Sequence, residues 1–137
     1  MQRWVWDGDE LLAGDGSVLA CVSDSVLHVD GERVPLELGR TRFELRSADG
    51  SMRLRQHGLT VTTLHGDCAG RSYVLARRNP WRKRRDITSA TGRVAEIRPQ
   101  LSGKVEVRWS EEIPLLDAAF LTWGCVQVDA PQRETRI

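Results

Sequence analysis

Apolar and polar residues alternate at a spacing of two along most of the chain, in stretches of four to seven residues separated by Gly-containing turns. This spacing is typical of β-strands that bury one face and expose the other. Pairs such as Asp30-Gly31 readily adopt the positive φ angles of tight hairpins, so neighbouring strands are expected to pair antiparallel. The pattern predicts about twelve short strands, at residues 3–6, 10–13, 17–22, 25–29, 33–38, 42–46, 52–55, 59–65, 71–77, 86–89, 93–98 and 104–109.

The strand at 104–109 follows the alternation strictly, whereas the strand at 93–98 does not. Val94 and Ile97 interrupt the pattern there. Such a break indicates either a β-bulge or a strand that is buried on both faces.

Residues 113–128, IPLLDAAFLTWGCVQV, have a different pattern, because apolar side chains would surround a helix here on every side. A helix without a wet face must be enclosed by protein or lipid. The stretch is shorter than the roughly 20 apolar residues of a membrane span, and it contains Asp117. We therefore predict a buried central helix, with Glu111 and Glu112 placed to interact with the positive end of its dipole.

Together these patterns predict a mostly β fold, a closed antiparallel barrel of about twelve short strands around a central C-terminal hydrophobic helix. The length of 137 residues is that of a single domain, residues 1–137. The polar tail at 129–137 fits either a frayed end or a last short strand. Trp4 and Trp6 point the same way along their strand, and core or barrel-rim packing is the favoured interpretation.

The order of these elements resembles the tubby-like barrel, a group that includes the tubby C-terminal domain, the phospholipid scramblases and the LURP-one-related proteins. The resemblance is carried by residues 73–99, YVLARRNPWRKRRDITSATGRVAEIRP, and 103–126, GKVEVRWSEEIPLLDAAFLTWGCV. It is closest to short bacterial members of the group. It implies noncatalytic binding to anionic phospholipid or a regulatory role, and it transfers no individual site residue to this chain.

The cysteines and the N-terminus bear on the compartment. The three cysteines are odd in number and have no CxxC spacing, which argues against a disulfide framework or a zinc site and favours a reducing compartment. The first ten residues lack a cationic start followed by an apolar run, so no secretory signal is expected. We predict a cytoplasmic protein, peripheral at the membrane if it binds lipid, with no transmembrane segment and no cofactor.

Charge is distributed unevenly, and this locates the candidate site. Residues 71–85 contain seven Lys or Arg and no acid, which leaves 20 − 7 = 13 basic and 19 acidic residues elsewhere, a net charge of −6. The basic cluster is interrupted by one indole, a composition suited to an anionic surface. The predicted ligand- or phosphate-binding residues are Arg77, Arg78, Trp81, Arg82, Lys83, Arg84 and Arg85.

Several partners fit this basic segment. At about 1 kcal/mol per cation near an acidic membrane, six cations give at most about 6 kcal/mol, enough for reversible peripheral binding to anionic phospholipid or another phosphorylated ligand. Nucleic acid is an alternative, with arginines on phosphates and Trp81 stacked on a base. A protein partner is a third. The segment could also be a solvated hairpin whose arginines pair with acids elsewhere on the surface.

No other segment predicts catalysis, and we expect no enzymatic activity. His65, Asp67 and Cys68 lie close in sequence, but a nucleophile also needs an oriented third group and an oxyanion site, so residues 65–68 are predicted to form a turn. The acidic residues 7, 9 and 15 lie beside glycines and suit turns rather than a calcium loop. Asp117 on the apolar helix requires a donor, and an arginine or a backbone amide at the barrel mouth would satisfy it.

Overall fold

The computed structural model describes residues 2–79, 81–110 and 113–129. In these residues twelve antiparallel strands form a closed barrel, with each strand paired to its sequence neighbours and β1 paired to β12. One helix follows the strands, which confirms the predicted fold class. The elements are β1 (Gln2–Asp7), β2 (Glu10–Leu12), β3 (Val18–Ser23), β4 (Val26–Val29), β5 (Glu32–Leu38), β6 (Glu44–Ser47), β7 (Met52–Gln56), β8 (Thr63–Cys68), β9 (Arg71–Arg77), β10 (Arg85–Ser89), β11 (Gly92–Pro99), β12 (Val105–Trp109) and α1 (Leu115–Asp129).

Helix α1 is central because its side chains are buried on every side. It begins two residues later and ends one residue later than predicted. The predictions made for Glu111, Glu112 and the polar tail from residue 130 concern residues outside the described part of the chain. In the described part of the chain, no helix is long and apolar enough to cross a membrane.

Two glycines allow α1 to approach the wall of β7 and β8. A Cβ built on Gly66 would lie 2.6 Å from Leu121 Cδ2, and one built on Gly124 would lie 2.2 Å from Leu54 Cδ2. Real Cβ atoms essentially never come this close to other heavy atoms, and the two leucines are fully buried. The helix therefore packs closely against this wall because neither glycine has a side chain.

A strand lies where one was predicted at 59–65, but its bounds were wrong, since β8 begins at Thr63 and extends to Cys68. Residues 65–68 therefore lie in a strand, not in a turn, and the turn follows at Ala69-Gly70. Glycine is common in turns, but Gly66 lies within β8, where the absence of a side chain allows the close contact with Leu121. Leu59 belongs to the preceding loop.

The alternation predicted the orientation of the other strands well. Val105, Val107 and Trp109 of β12 face the core. A register shift leaves Val94 of β11 without a partner on β10, which is the bulge that the broken pattern indicated. Trp6 is fully buried and donates its indole N–H to Thr122 Oγ1 on α1 at 2.8 Å.

The connections between strands alternate between the two ends of the barrel, because every neighbouring pair is antiparallel. One end holds the start of α1 and the connections β2–β3, β4–β5, β6–β7, β8–β9 and β10–β11. The other end holds the C-terminus of α1 and the remaining connections. The segment predicted to bind ligands, between β9 and β10, lies at this second end.

Candidate functional site: the basic end of the barrel

The predicted basic segment divides into a buried part and an exposed part. Arg77 is the last residue of β9 and Arg85 the first of β10, so both lie where α1 ends. Arg77 donates from Nη2 to Asp129 Oδ1 at 2.8 Å, and Arg85 donates to both carboxylate oxygens of Asp129. These two arginines hold the end of the helix.

Arg85 is fully buried, and its guanidinium also donates to backbone carbonyls of Val61, Thr62 and Leu75. Burial on its own lowers the pKa of Arg85, but the hydrogen bond to Asp129 and the electrostatic attraction of its surroundings together raise it. Since the side chain is enclosed, it cannot reach a ligand in the folded protein. Its role in this structure is to join β10, the β7–β8 connection and α1.

Arg78 and Arg84 lie on the outer wall of the barrel and meet at Glu96. Arg78 donates to Asp86 at 2.7 and 2.8 Å and to Glu96 at 2.9 Å, and Arg84 Nη2 lies 2.6 Å from Glu96 Oε1. Burial would raise the pKa of Glu96, but the hydrogen bond from Arg84 and the neighbouring guanidinium charges lower it. Arg93 and Arg98 complete this cluster, which contains four arginines and two acids.

The tip of the β9–β10 connection carries the exposed part of the predicted set. Trp81 is 90% exposed, and Arg82 and Lys83 beside it are exposed too. Neither cation has an ion-pair partner among residues 2–79, 81–110 and 113–129. The backbone N–H of Trp81 donates to Asn79 Oδ1 at 2.9 Å, and that of Arg82 donates to the Asn79 carbonyl at 3.1 Å.

Three further connections at this end also lack acidic residues, and two of them, β5–β6 and β11–β12, carry cations. The connections β5–β6 (39–43), β7–β8 (57–62), β9–β10 (78–84) and β11–β12 (100–104) contain no Asp or Glu. We call these four connections the basic end. They contain seven cations, Arg40, Arg42, Arg78, Arg82, Lys83, Arg84 and Lys104.

The rest of the barrel mouth is less basic. The same end includes two short turns with Asp9 and Asp24, on the side of β1 to β4, and Lys104 Nζ lies 3.7 Å from Asp7. At the opposite end, the described connections contain Asp15, Asp30 and Asp49 and no Lys or Arg. We call this the acidic end. The barrel is thus electrically polarised along its axis.

Sequence reasoning found the β9–β10 segment but not Arg40, Arg42 or Lys104. These residues lie far apart in the sequence, and only the alternation of connections brings them to one end. Arg42 already contacts a neighbouring connection, since its Nη1 donates to the Gly58 carbonyl at 3.2 Å. Counting the charges of every second predicted turn would have grouped these residues.

At the acidic end, Asp117 has the donor that its burial required. Arg71 donates to both of its oxygens, at 2.7 and 3.0 Å, and the Tyr73 hydroxyl donates to Oδ2 at 2.6 Å. Burial, followed by the bond to Asp117, raises the pKa of Tyr73. Asp117 is thus held by the barrel wall, as predicted. An open cleft of about 590 Å³ lies beside Arg71 and Tyr73.

The remaining reactive side chains are arranged as structural residues. Burial raises the pKa of Cys68 far above its usual value and that of Cys125 to about 12, which opposes formation of either thiolate. His57 and His65 stack with their ring centroids 4.4 Å apart. In the described part of the chain, no three His, Cys, Asp or Glu side chains are placed to hold a metal ion together.

No protein-family model matches the chain, and searches of curated proteins and of solved structures found no match either.

Proposed function

We propose that this protein is a noncatalytic module that binds anionic phospholipid or another phosphorylated ligand through its basic end. The observation that carries the proposal is the tip of the β9–β10 connection, where an exposed indole lies beside Arg82 and Lys83. Among the described residues these two cations have no acidic partner that would compete with a phosphate. The protein would act at the cytoplasmic face of a membrane, as a peripheral component.

The surroundings of this tip support an anionic partner. Four neighbouring connections without an acid produce a positive field at one end of the barrel, which attracts and orients an anionic surface. The sequence also resembles the tubby-like barrel, a group that includes phospholipid scramblases. This resemblance supports the same class of ligand. Arg77 and Arg85 have no direct part in it, because Asp129 already binds both.

The proposal is tested by sedimentation with vesicles of phosphatidylserine and phosphatidylcholine, compared with vesicles of phosphatidylcholine alone. Acidic vesicles should capture more protein. The double variant Arg82→Ser and Lys83→Ser should lose about 2 kcal/mol of binding, roughly 30-fold in affinity. Equal capture by both vesicle types would overturn the proposal.

Nucleic acid is the second candidate, because an exposed tryptophan beside two exposed cations also suits base stacking on a phosphate backbone. A gel-shift titration at two salt concentrations separates the two. Salt-sensitive retardation of single-stranded RNA or DNA, together with no preference for acidic vesicles, would favour nucleic acid over lipid.

A further inference from the structure

The most exposed large apolar side chains of the described residues all lie at the basic end. Leu59 is 87% exposed, Trp81 90% and Leu101 96%, and they belong to three successive connections at this end, β7–β8, β9–β10 and β11–β12. At the acidic end, Val18 at the start of β3 is 53% exposed. Single exposed apolar residues are ordinary on protein surfaces, but three at one end need an explanation.

Each of the three side chains is carried by a hydrogen-bonded loop. In the β11–β12 connection, Gln100 and Lys104 pair through their backbones at 2.8 Å, and the N–H of Gly103 donates to the Gln100 carbonyl at 3.0 Å. Leu101 is therefore presented at the tip of a closed turn. The Leu101 side chain does not fold back onto the barrel.

The loop that carries Leu59 is fixed at both of its sides. The Gly58 carbonyl accepts hydrogen bonds from Gln56 Nε2 at 3.0 Å and from Arg42 Nη1 at 3.2 Å. The Thr62 carbonyl accepts from the buried Arg85 at 3.1 Å. The backbone on either side of Leu59 is thus bound by Arg42 of the β5–β6 connection and by Arg85 of β10, while the Leu59 side chain stays exposed.

A soluble phosphorylated ligand would use the cations of this end and would leave the three apolar side chains in water. A lipid bilayer would use both. The cations meet the headgroup phosphates, while leucine and tryptophan side chains enter the boundary between headgroups and acyl chains. The three tips lie at the same end of the barrel, and the absence of acids from these connections removes charges that would repel an acidic surface.

We infer that Leu59, Trp81 and Leu101 insert together into the surface of an anionic bilayer. This inference rests on the proposed function and narrows it to a membrane surface. The acids Asp9 and Asp24 on the other side of the same mouth tilt the docked barrel toward the β7–β12 side.

The insertion is tested with Leu59→Ser and Leu101→Ser, whose wild-type side chains are too exposed to support the fold. Each variant should lower the partition coefficient onto phosphatidylserine-containing vesicles about fivefold to tenfold. Val18→Ser is the matched control, since it removes an exposed apolar side chain at the acidic end. It should leave the partition coefficient unchanged.

Trp81 is a built-in reporter, because the other four tryptophans of the chain are buried. On acidic vesicles its emission should shift to the blue, and phosphatidylcholine brominated on its acyl chains should quench it. Trp81→Phe should abolish this quenching while the protein still sediments with the vesicles. Glycerophosphoserine, the dissolved headgroup, should produce no blue shift.

The outcomes separate this inference from the proposed function. Loss of binding in the Arg82 and Lys83 double variant, with unchanged partition of both leucine variants and no quenching, would leave the proposed function intact and overturn insertion. No capture by acidic vesicles would overturn both. If Trp81 of the lipid-free protein is shielded from acrylamide and becomes accessible on deletion of residues 130–137, the chain's own tail occupies this end and insertion is refuted.

Discussion

The acidic and basic ends of the barrel are both made of strand connections, but they use their charged residues differently. At the acidic end the carboxylates of Asp15 and Asp49 fold back onto their own turns. Asp49 Oδ1 accepts from the Ser51 N–H and hydroxyl at 2.9 and 2.8 Å and from the Ser47 hydroxyl at 2.6 Å, and Asp15 binds Ser17 in the same way. At the basic end, Arg82 and Lys83 have no such partner among the described residues.

This difference separates charges that maintain the fold from charges that are free to bind. Asp49 stabilises a turn of four residues, whereas the basic connections are five to seven residues long and their tips are closed by backbone and amide groups. In the described part of the chain, the side chains of Arg82 and Lys83 make no contact that closes their loop.

The anchors of α1 at the two ends should differ in strength. Asp129→Asn leaves the fully buried Arg85 without its carboxylate and should cost about 3–5 kcal/mol of unfolding free energy. Asp117→Asn should cost less, about 1–3 kcal/mol, because the Arg71 side chain is 48% exposed and water can solvate it. Urea denaturation measures both. A larger loss for Asp117→Asn would contradict the assignment of the stronger anchor to the basic end.

Between the two ends, the fit of α1 to the barrel wall should tolerate no added side chain. Gly124→Ala places a methyl group against the buried Leu54, and this overpacking should cost about 1–3 kcal/mol in urea denaturation. Gly14→Ala is the control. A Cβ there would meet only the Arg3 carbonyl at 3.9 Å, so its stability should match wild type or slightly exceed it. Equal stabilities of the two variants would argue against a tightly packed central helix.

The acidic end should make the smallest contribution, and one that depends on pH. Hydrogen bonds from Ser47 and Ser51 lower the pKa of Asp49 from 3.8 to about 2. A lowered pKa in the folded state stabilises the protein above pH 3.8, and this contribution is lost as the pH falls toward 2. As the pH falls from 3.8 toward 2, Asp49→Ala should therefore lose less unfolding free energy than the wild type.

Urea midpoints at pH 5 and pH 2.5 measure that difference. Ser47→Ala, which removes the largest cause of the shift, should reproduce much of the effect of Asp49→Ala. Identical pH dependence in wild type and both variants would show that the turn contact has no effect on stability.

The strand pattern and the apolar stretch at 113–128 were sufficient to predict the barrel and its central helix, because alternation and burial are local properties of a sequence. The boundary of β8 was not predicted, because glycine is typical of turns and the contact of Gly66 with Leu121 is made only in the folded chain. Local composition cannot distinguish a glycine required by a turn from one required by a neighbour.

The candidate site was predictable only in part, for a related reason. A run of cations in the sequence shows charge but not its partners, and Asp129 lies 44 residues from Arg85 and Glu96 lies 12 residues from Arg84. Charge alone could not separate Arg77, Arg78, Arg84 and Arg85, which bind acids, from Arg82 and Lys83. The contributions of Arg40 and Arg42 depend on barrel topology.

A pair of single-charge variants tests whether the basic end is the surface that binds anionic membranes. Arg82→Ser removes an exposed cation from the basic end, and Arg33→Ser removes one beside the Asp30-Gly31 turn of the acidic end. Both change the net charge equally. On phosphatidylserine-containing vesicles at low salt, Arg82→Ser should weaken binding about fivefold and Arg33→Ser should have little effect. Equal weakening by the two variants would show that only net charge attracts the protein, and would contradict a binding surface at the basic end.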